Sequence, residues 1–247
     1  MNNYNLKKGL IREKVNKFQT NKVYGVNVDN LFFNYILKFI TYFKKYNFNL
    51  NILDLGTGTG IVPRTIYSKS NEKLSIHGID VSKELISIAK SLDSKTNYSV
   101  IKTKLNSSKK YTIVTNRLCP RYKISDLSKN ISLNGIYIFK EYDEYRGLKE
   151  IKDLFSKRWI TRKYSSDFIS ELNKYNFKYI YLQKYLYFRK YTIDEMDSIL
   201  KSTNIIQNYS EKDYIKIKKK LGVSFLITQD PYLIIASKNF NFLNKIL

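Results

Sequence analysis

The sequence predicts an α/β protein, a three-layer sandwich around a mixed, mostly parallel seven-stranded sheet with a small helical insertion. Three observations predict it. Residues 51–90 read as strand, glycine turn, helix, strand, helix. Strand-like apolar runs then recur at 98–101, 111–116, 136–140, 179–191 and 231–237, mostly separated by helical patterns, as in a sheet covered on both faces. The chain has 247 residues, 43% hydrophobic, with 22 tyrosines and 14 phenylalanines, enough core for one domain of this size.

Each element has a local reason. Ile11, Val15 and Phe18 stand at helical spacing in the basic N-terminal segment, and a loop is expected over 20–27. Asp29 reads as an N-cap for a helix over 30–45, whose Leu31, Phe32, Tyr35, Ile36, Phe39, Ile40 and Phe43 share one face. The first core strand, 51–55, carries Ile52, Leu53 and Leu55 and runs into Gly56-Thr57-Gly58-Thr59-Gly60. Alternate glycines permit a sharp turn and leave room for a ligand where side chains would stand. The helix that follows, about 61–69, offers its free N–H groups to an electron-rich ligand. The next strand, 74–79, ends in Asp80, and Ser82 reads as the cap of a helix striped by Leu85, Ile86, Ile88, Ala89 and Leu92. His77, inside that strand, reads as structural.

Further on, a helix is expected over 124–130, a turn at Asn134-Gly135, and helices over 145–157 and 166–175. Residues 179–191 read as one long strand. Thr192 to Glu195 is a capping box opening a helix to about 201, and a second helix spans 210–221, ended by Gly222. The organisation is then a segment at 1–28, a core at 29–190, a helical insertion at 191–226, and a last strand and tail at 227–247.

Composition limits the chemistry. One cysteine, Cys119, and one histidine, His77, rule out a disulfide framework and a Cys-rich zinc site, and no metal is expected. No apolar run reaches membrane-span length and the N-terminus lacks a signal peptide's apolar stretch, so a cytoplasmic location and no membrane partner are expected. The net charge of +23 attracts polyanions, although it is spread in short runs as on a solvated face.

The turn discriminates among nucleotide-binding units. It follows G-x-G-x-G, with Asp54 two residues before Gly56, rather than the dinucleotide G-x-G-x-x-G, and no Gly-Lys-Ser/Thr of a P-loop follows. This pattern resembles motif I of the class I S-adenosylmethionine-dependent methyltransferases, strongly over about 40 residues. The resemblance implies the class I methyltransferase fold, with an antiparallel last strand, a small helical lid and S-adenosyl-L-methionine as cofactor. It implies that Asp54, Gly56, Thr57, Gly58 and Gly60 hold the cofactor's amino-acid end, that Asp80 and Val81 meet the ribose side, and that Asn116 and Arg117 lie near the transferred methyl. It implies too that the N-terminal segment folds over the cofactor, where Tyr24 could stack.

The sequence departs from the family in places. Lys102-Thr103-Lys104 stands where members place an acid that meets adenine, which leaves that task to backbone groups or an aromatic such as Tyr98. Asn116 to Arg121 carries no Asn/Asp-Pro-Pro-Tyr, against adenine amino-methylation, and Cys119-Pro120 reverses the order of a cytosine-C5 nucleophile. Glu141, Asp143 and Glu144 offer a general base or a cation-binding loop. The catalytic residues are not identified. The reading favours N- or O-methylation of a small-molecule or peptide-derived acceptor, alongside an RNA methyltransferase or a non-catalytic cofactor-binding or RNA-binding protein on the same fold. The oligomeric state is not legible.

Overall fold

The structure is a computed structural model, and it describes residues 10–11, 13–15, 22–70, 73–101, 109–119, 122–160 and 165–239. The central sheet has seven strands in the order β4-β3-β2-β5-β6-β10-β7. They are β2 (Asn51–Leu55), β3 (Ser75–Asp80), β4 (Asn97–Val100), β5 (Tyr111–Arg117), β6 (Ile131–Tyr142), β7 (Tyr179–Lys184) and β10 (Pro231–Ser237). Strands β2 to β6 are parallel, and β10 runs antiparallel to both β6 and β7. The expected mixed, mostly parallel sheet with an antiparallel last strand is what the structure contains.

Period-two alternation divides the core. Ile52, Ile113, Ile136, Ile138, Leu233 and Ile235 face one side. There they meet helix α1 (Val28–Lys45) through Phe32, Ile36, Phe39 and Phe43, and α2 (Ile61–Ser70) through Val62 and Ile66. Each such side chain, fully buried, contributes about 1.5–3 kcal/mol. The intervening Leu53, Leu55, Val114, Tyr137, Phe139, Tyr232 and Ile234 face the other layer, against α4 (Ile124–Asn130) and α6 (Ser165–Lys174). Helix α3 (Lys83–Leu92) is capped by Ser82, whose hydroxyl accepts the Leu85 N–H at 3.2 Å, and it packs Ile86 and Ala89 on Tyr98.

Four expectations are corrected. Residues 179–191 are two strands. Strand β7 stays in the central sheet, and after Tyr185-Leu186 the chain enters β8 (Tyr187–Thr192), which pairs with β1 (Val23–Tyr24) and β9 (Ser224–Gln229) in a second, three-stranded antiparallel sheet. The insertion is therefore not helical alone. Helices α7 (Ile193–Ser202) and α8 (Glu211–Leu221) share a core with β8, β9, α5 (Lys149–Leu154) and Trp159, built on Phe155, Tyr191, Met196, Leu200, Ile217 and Ile227. The Asn134-Gly135 turn is absent. Both residues lie inside β6, where the register against β5 shifts between Tyr111 and Ile113. Gly135 sits in that irregularity because a Cβ there would meet Ile131 at 2.6 Å and the Tyr111 carbonyl at 3.0 Å. The expected helix over 145–157 is shorter, and a 3-10 turn, Ser156–Arg158, follows it.

The fourth correction concerns Asp29. The N-cap of α1 is Asn27, whose Oδ1 accepts the N–H groups of Asp29 at 3.1 Å and Asn30 at 3.2 Å. Asp29 lies inside the first turn and points into the protein. Elsewhere the caps are as expected: Thr192 and Glu195 bond reciprocally at 3.3 and 2.8 Å, and Gly222 ends α8 at φ 87°.

Candidate functional site

The glycine turn stands at the carboxyl end of β2, between β3 and β5. Gly56, Gly58 and Gly60 all have positive φ, 66°, 55° and 81°. Two of them also need their missing side chain. A Cβ on Gly56 would stand 1.8 Å from Cys119 Sγ, and one on Gly60 2.3 Å from the Tyr98 hydroxyl. Thr57 ties the turn to β3 by donating its N–H to the Ile79 carbonyl at 2.9 Å. Asp80 holds it from the other side, accepting the Gly58 N–H on Oδ2 and the Ser82 N–H on Oδ1, both at 2.9 Å. Val81, beside it, is 66% exposed, an apolar surface at the mouth of the turn.

Asp54 and Asn116 stand beneath the turn, their side chains toward opposite faces of the sheet. They stand on neighbouring strands, Asp54 beside Thr115 and Leu55 beside Asn116. The Thr115 hydroxyl donates to Asp54 Oδ1 at 2.7 Å, whereas Oδ2 is buried without a hydrogen-bond partner. Burial pushes the Asp54 carboxyl up to about 7, and the Thr115 hydroxyl offsets only part of that. The Asn116 side chain is fully buried, and neither its oxygen nor its nitrogen has a partner. A buried carboxylate oxygen and a buried amide left unpaired are costly unless a ligand completes them. A cationic group of a ligand suits Asp54 Oδ2, and a polar group suits the Asn116 amide.

The N-terminal segment and two aromatics complete the surroundings. Helical residues 10–11 and 13–15 dock on the turn through Glu13, which accepts from the Thr59 hydroxyl and from Arg64 Nη2. Tyr24 belongs instead to β1, is 42% exposed, and lies under the Lys22 ammonium, 4.8 Å from the ring centroid. Tyr98 is consumed by packing: its hydroxyl donates to Asp93 at 3.0 Å and its ring fills the space beside Gly60 and Gly78. Lys102 to Lys104 lie outside the described residues.

Beyond Asn116 the character changes to basic. Arg117 donates from Nε and Nη2 to Asp29 Oδ1 at 3.1 and 3.0 Å. Lys140 Nζ reaches the same oxygen at 2.6 Å, and Arg189 Nη2 donates to Oδ2 at 3.2 Å. Lys140 and Arg189 are fully buried. The three cations hold the Asp29 carboxyl far below the usual carboxylate range against its burial. Arg189 did carry a signal in the sequence: it occupies an inward position of β8, between Tyr187 and Tyr191, where a strand buried on one face normally has an apolar residue. Leu118, directly after Arg117, has φ 55°, an uncommon conformation for a residue with a side chain.

The acidic run over the site serves the structure. Asp143 accepts from Lys184 at 2.6 Å and from the Ser165 N–H and hydroxyl at 3.3 and 3.2 Å, at the start of α6. Glu144 pairs with Lys152 at 2.6 Å. His77 lies between the Tyr111 and Ser99 hydroxyls at 2.9 and 2.7 Å. Among the described residues no group of three metal-ligating side chains could hold an ion, and no helix is long and apolar enough to cross a membrane.

Comparison with known proteins adds the following. Residues 47–116 match a family described as a methyltransferase domain. No curated protein sequence matches the chain. Among solved structures, a functionally unknown protein from Deinococcus radiodurans R1 superposes with a TM-score of 0.51 at 11% identity, over 77% of this chain and 81% of that one. Haemonchus contortus phosphoethanolamine N-methyltransferase 2, in complex with phosphomonomethylethanolamine and S-adenosylhomocysteine, gives 0.48 at 17% identity over 78% of this chain. The chain spans about half the length of that enzyme, 49%. The plantazolicin methyltransferase BpumL, in complex with a desmethyl analogue of plantazolicin and S-adenosylhomocysteine, gives 0.48 at 16% identity over 95% of this chain and 96% of that one.

Proposed function

We propose that this chain, whose residues 47–116 match a methyltransferase domain, uses S-adenosylmethionine to methylate a nitrogen or oxygen of a small-molecule or peptide-derived acceptor. The observation that carries the reading is the unsatisfied Asp54 Oδ2 beneath the glycine turn. The groups present suit that cofactor. Asp54 would take its ammonium, the turn from Gly56 to Gly60 would admit its backbone, and Asp80 with Val81 would take the ribose side. An ionised carboxylate accepts about four hydrogen bonds, so Asp80 can hold the turn and a ribose together. The bound cofactor supplies an electrophilic methyl group on a sulfonium.

The protein's part is positioning. Helical residues 10–11 and 13–15, pinned by Glu13 on Thr59 and Arg64, cover the turn and keep water from it. Arg117 and Leu118, at the carboxyl end of β5, shape the approach of the acceptor, as the site lies outside the carboxyl ends of the strands. A nucleophilic acceptor held in line needs orientation and exclusion of water rather than a dedicated base. Asp143 and Glu144 are taken up by Lys184, Ser165 and Lys152.

Calorimetric titration with S-adenosylmethionine and S-adenosylhomocysteine tests the reading. The expected result is micromolar binding in the wild type that Asp80→Ala abolishes. Absence of binding to either ligand refutes it and leaves a non-catalytic domain.

A further inference from the structure

The second sheet has one face inside the protein and one outside, and the outside face is not composed like a solvated surface. In β8 the alternation is complete: Tyr187, Arg189 and Tyr191 are buried, whereas Phe188, Lys190 and Thr192 are exposed. An antiparallel sheet with one wet face ordinarily turns polar side chains outward. Here the outward residues include Phe188 at 44% exposure, its cross-strand partner Tyr24 at 42%, and Leu226 at 46%, which pairs with Lys190. Among the described residues, none of these three apolar side chains joins a hydrophobic cluster of the core. Large apolar groups exposed together on one face mark an interaction surface.

The charge around them decides the kind of partner. Lys22 and Lys190 are both exposed, and the Lys190 N–H donates to the Lys22 carbonyl at 3.1 Å, which sets the two residues side by side. Lys22 Nζ lies 4.8 Å from the Tyr24 ring centroid. The sequence leading into β1 carries Lys7, Lys8, Arg12, Lys14 and Lys17 against one acid, Glu13, and the chain as a whole stands at +23. Two acids at the margins of the sheet are taken up locally. Glu150 accepts the Thr228 N–H and hydroxyl at 2.9 and 2.5 Å, and Glu195 accepts the Thr192 N–H at 2.8 Å. A partner that offers flat rings and negative charge together fits this face. An unpaired base stacks on an aromatic side chain while its phosphate meets a lysine, whereas a duplex keeps its base faces covered. Directly paired across the ladder, Tyr24 and Phe188 stand side by side on a sheet rather than as a wedge that would enter a bilayer.

We propose that the outer face of the second sheet is a stacking platform for single-stranded nucleic acid, with Phe188 and Tyr24 beneath bases and Lys22 and Lys190 toward the phosphates. A lysine held on an exposed ring is weakly bound, so Lys22 gives way from Tyr24 to a phosphate. The platform is separate from the cofactor site: Phe188 and Arg189 point to opposite faces of β8, and Arg189 is the one that reaches Asp29. It goes beyond the methyl-transfer reading and does not make the bound strand the methyl acceptor.

The test titrates labelled oligouridylate and oligothymidylate of about 12 nucleotides with the full chain at about 50 mM salt, read by fluorescence anisotropy, with a duplex of the same length as reference. Both single strands should bind more tightly than the duplex. Phe188→Ala should weaken single-strand binding about fivefold to hundredfold, the size of one lost base stack, and Phe188→Trp should retain it. Lys22→Gln should lower the slope of log affinity against log salt by about 0.7, one phosphate contact on a single strand. These positions are exposed, so the melting temperature and the affinity for S-adenosylhomocysteine should stay at wild-type values. Equal single-strand affinity in wild type and Phe188→Ala, or duplex binding as tight as single-strand binding, overturns the proposal and leaves bulk charge as the cause. Self-association, or binding to phosphatidylserine vesicles, that Phe188→Ala abolishes while oligonucleotide binding stays unchanged also overturns it, in favour of a second copy or a lipid surface.

Discussion

Replacing Asp54 by Asn should strengthen the free protein at high pH and weaken it for its cofactor. The Asp54 carboxyl is fully buried and rises from 3.8 to about 7. At about 1.4 kcal/mol per pH unit, ionising it in the folded protein costs about 4 kcal/mol. The sign follows from linkage. A raised carboxyl carries no penalty below its unfolded value of 3.8, gains one as pH rises toward 7, and carries it in full above. Asn at position 54 never ionises, but it leaves an amide N–H₂ unpaired where Oδ2 stands, at about 1–3 kcal/mol. The variant should therefore be more stable than wild type at pH 8, by about 1–3 kcal/mol, and less stable at pH 4.

The same carboxyl sets the pH dependence of ligand binding. An ammonium needs the ionised form, so wild-type affinity for S-adenosylhomocysteine should fall about tenfold per pH unit below 7. The drop between pH 7 and pH 5.5 is then about 15-fold, because the carboxyl is already half protonated at pH 7, with net proton release seen as a dependence on buffer ionisation enthalpy. Asp54→Asn should bind about 10–100-fold more weakly at pH 8, with no such slope. Chemical denaturation and calorimetry across pH measure both effects. A wild-type affinity flat from pH 5.5 to pH 8, or a variant less stable than wild type at every pH, would refute the assignment of Asp54 as the cation partner.

Gly56→Ala should lower the melting temperature by about 5 °C or more, through its left-handed backbone and the clash with Cys119, and Cys119→Gly should recover only the steric part. Full recovery would mean the backbone conformation is unstrained. Glu13→Gln should raise the dissociation constant for S-adenosylhomocysteine roughly threefold to tenfold by releasing residues 10–11 and 13–15 from the turn, with little change in thermal stability; an unchanged constant would separate that segment from the cofactor. RNA retention by this +23 chain should collapse as salt rises from about 50 to 200 mM, as non-specific phosphate contacts do, and retention that survives would favour an RNA acceptor.

The sequence by itself determined the sheet and the cofactor half of the site. Apolar alternation in Ile52, Leu53 and Leu55, the spacing of Asp54, Gly56, Gly58 and Gly60, and Asp80 after the next strand are local patterns set by backbone geometry. A local pattern is legible along the chain. Residues 179–191 misled because every alternate residue suits a strand whether it continues in one sheet or crosses into another; pairing decides that, and pairing is long-range. Tyr98 misled because an aromatic beside a glycine turn looks like a ligand platform until its hydroxyl is found on Asp93. The acceptor side was hidden most deeply. Asp29, Arg117, Lys140 and Arg189 are up to 160 residues apart, and nothing local in the sequence ties them to one another. Only the meeting of α1, β5, β6 and β8 buries them together, and burial is what turns four separate charges into one cluster of ion pairs.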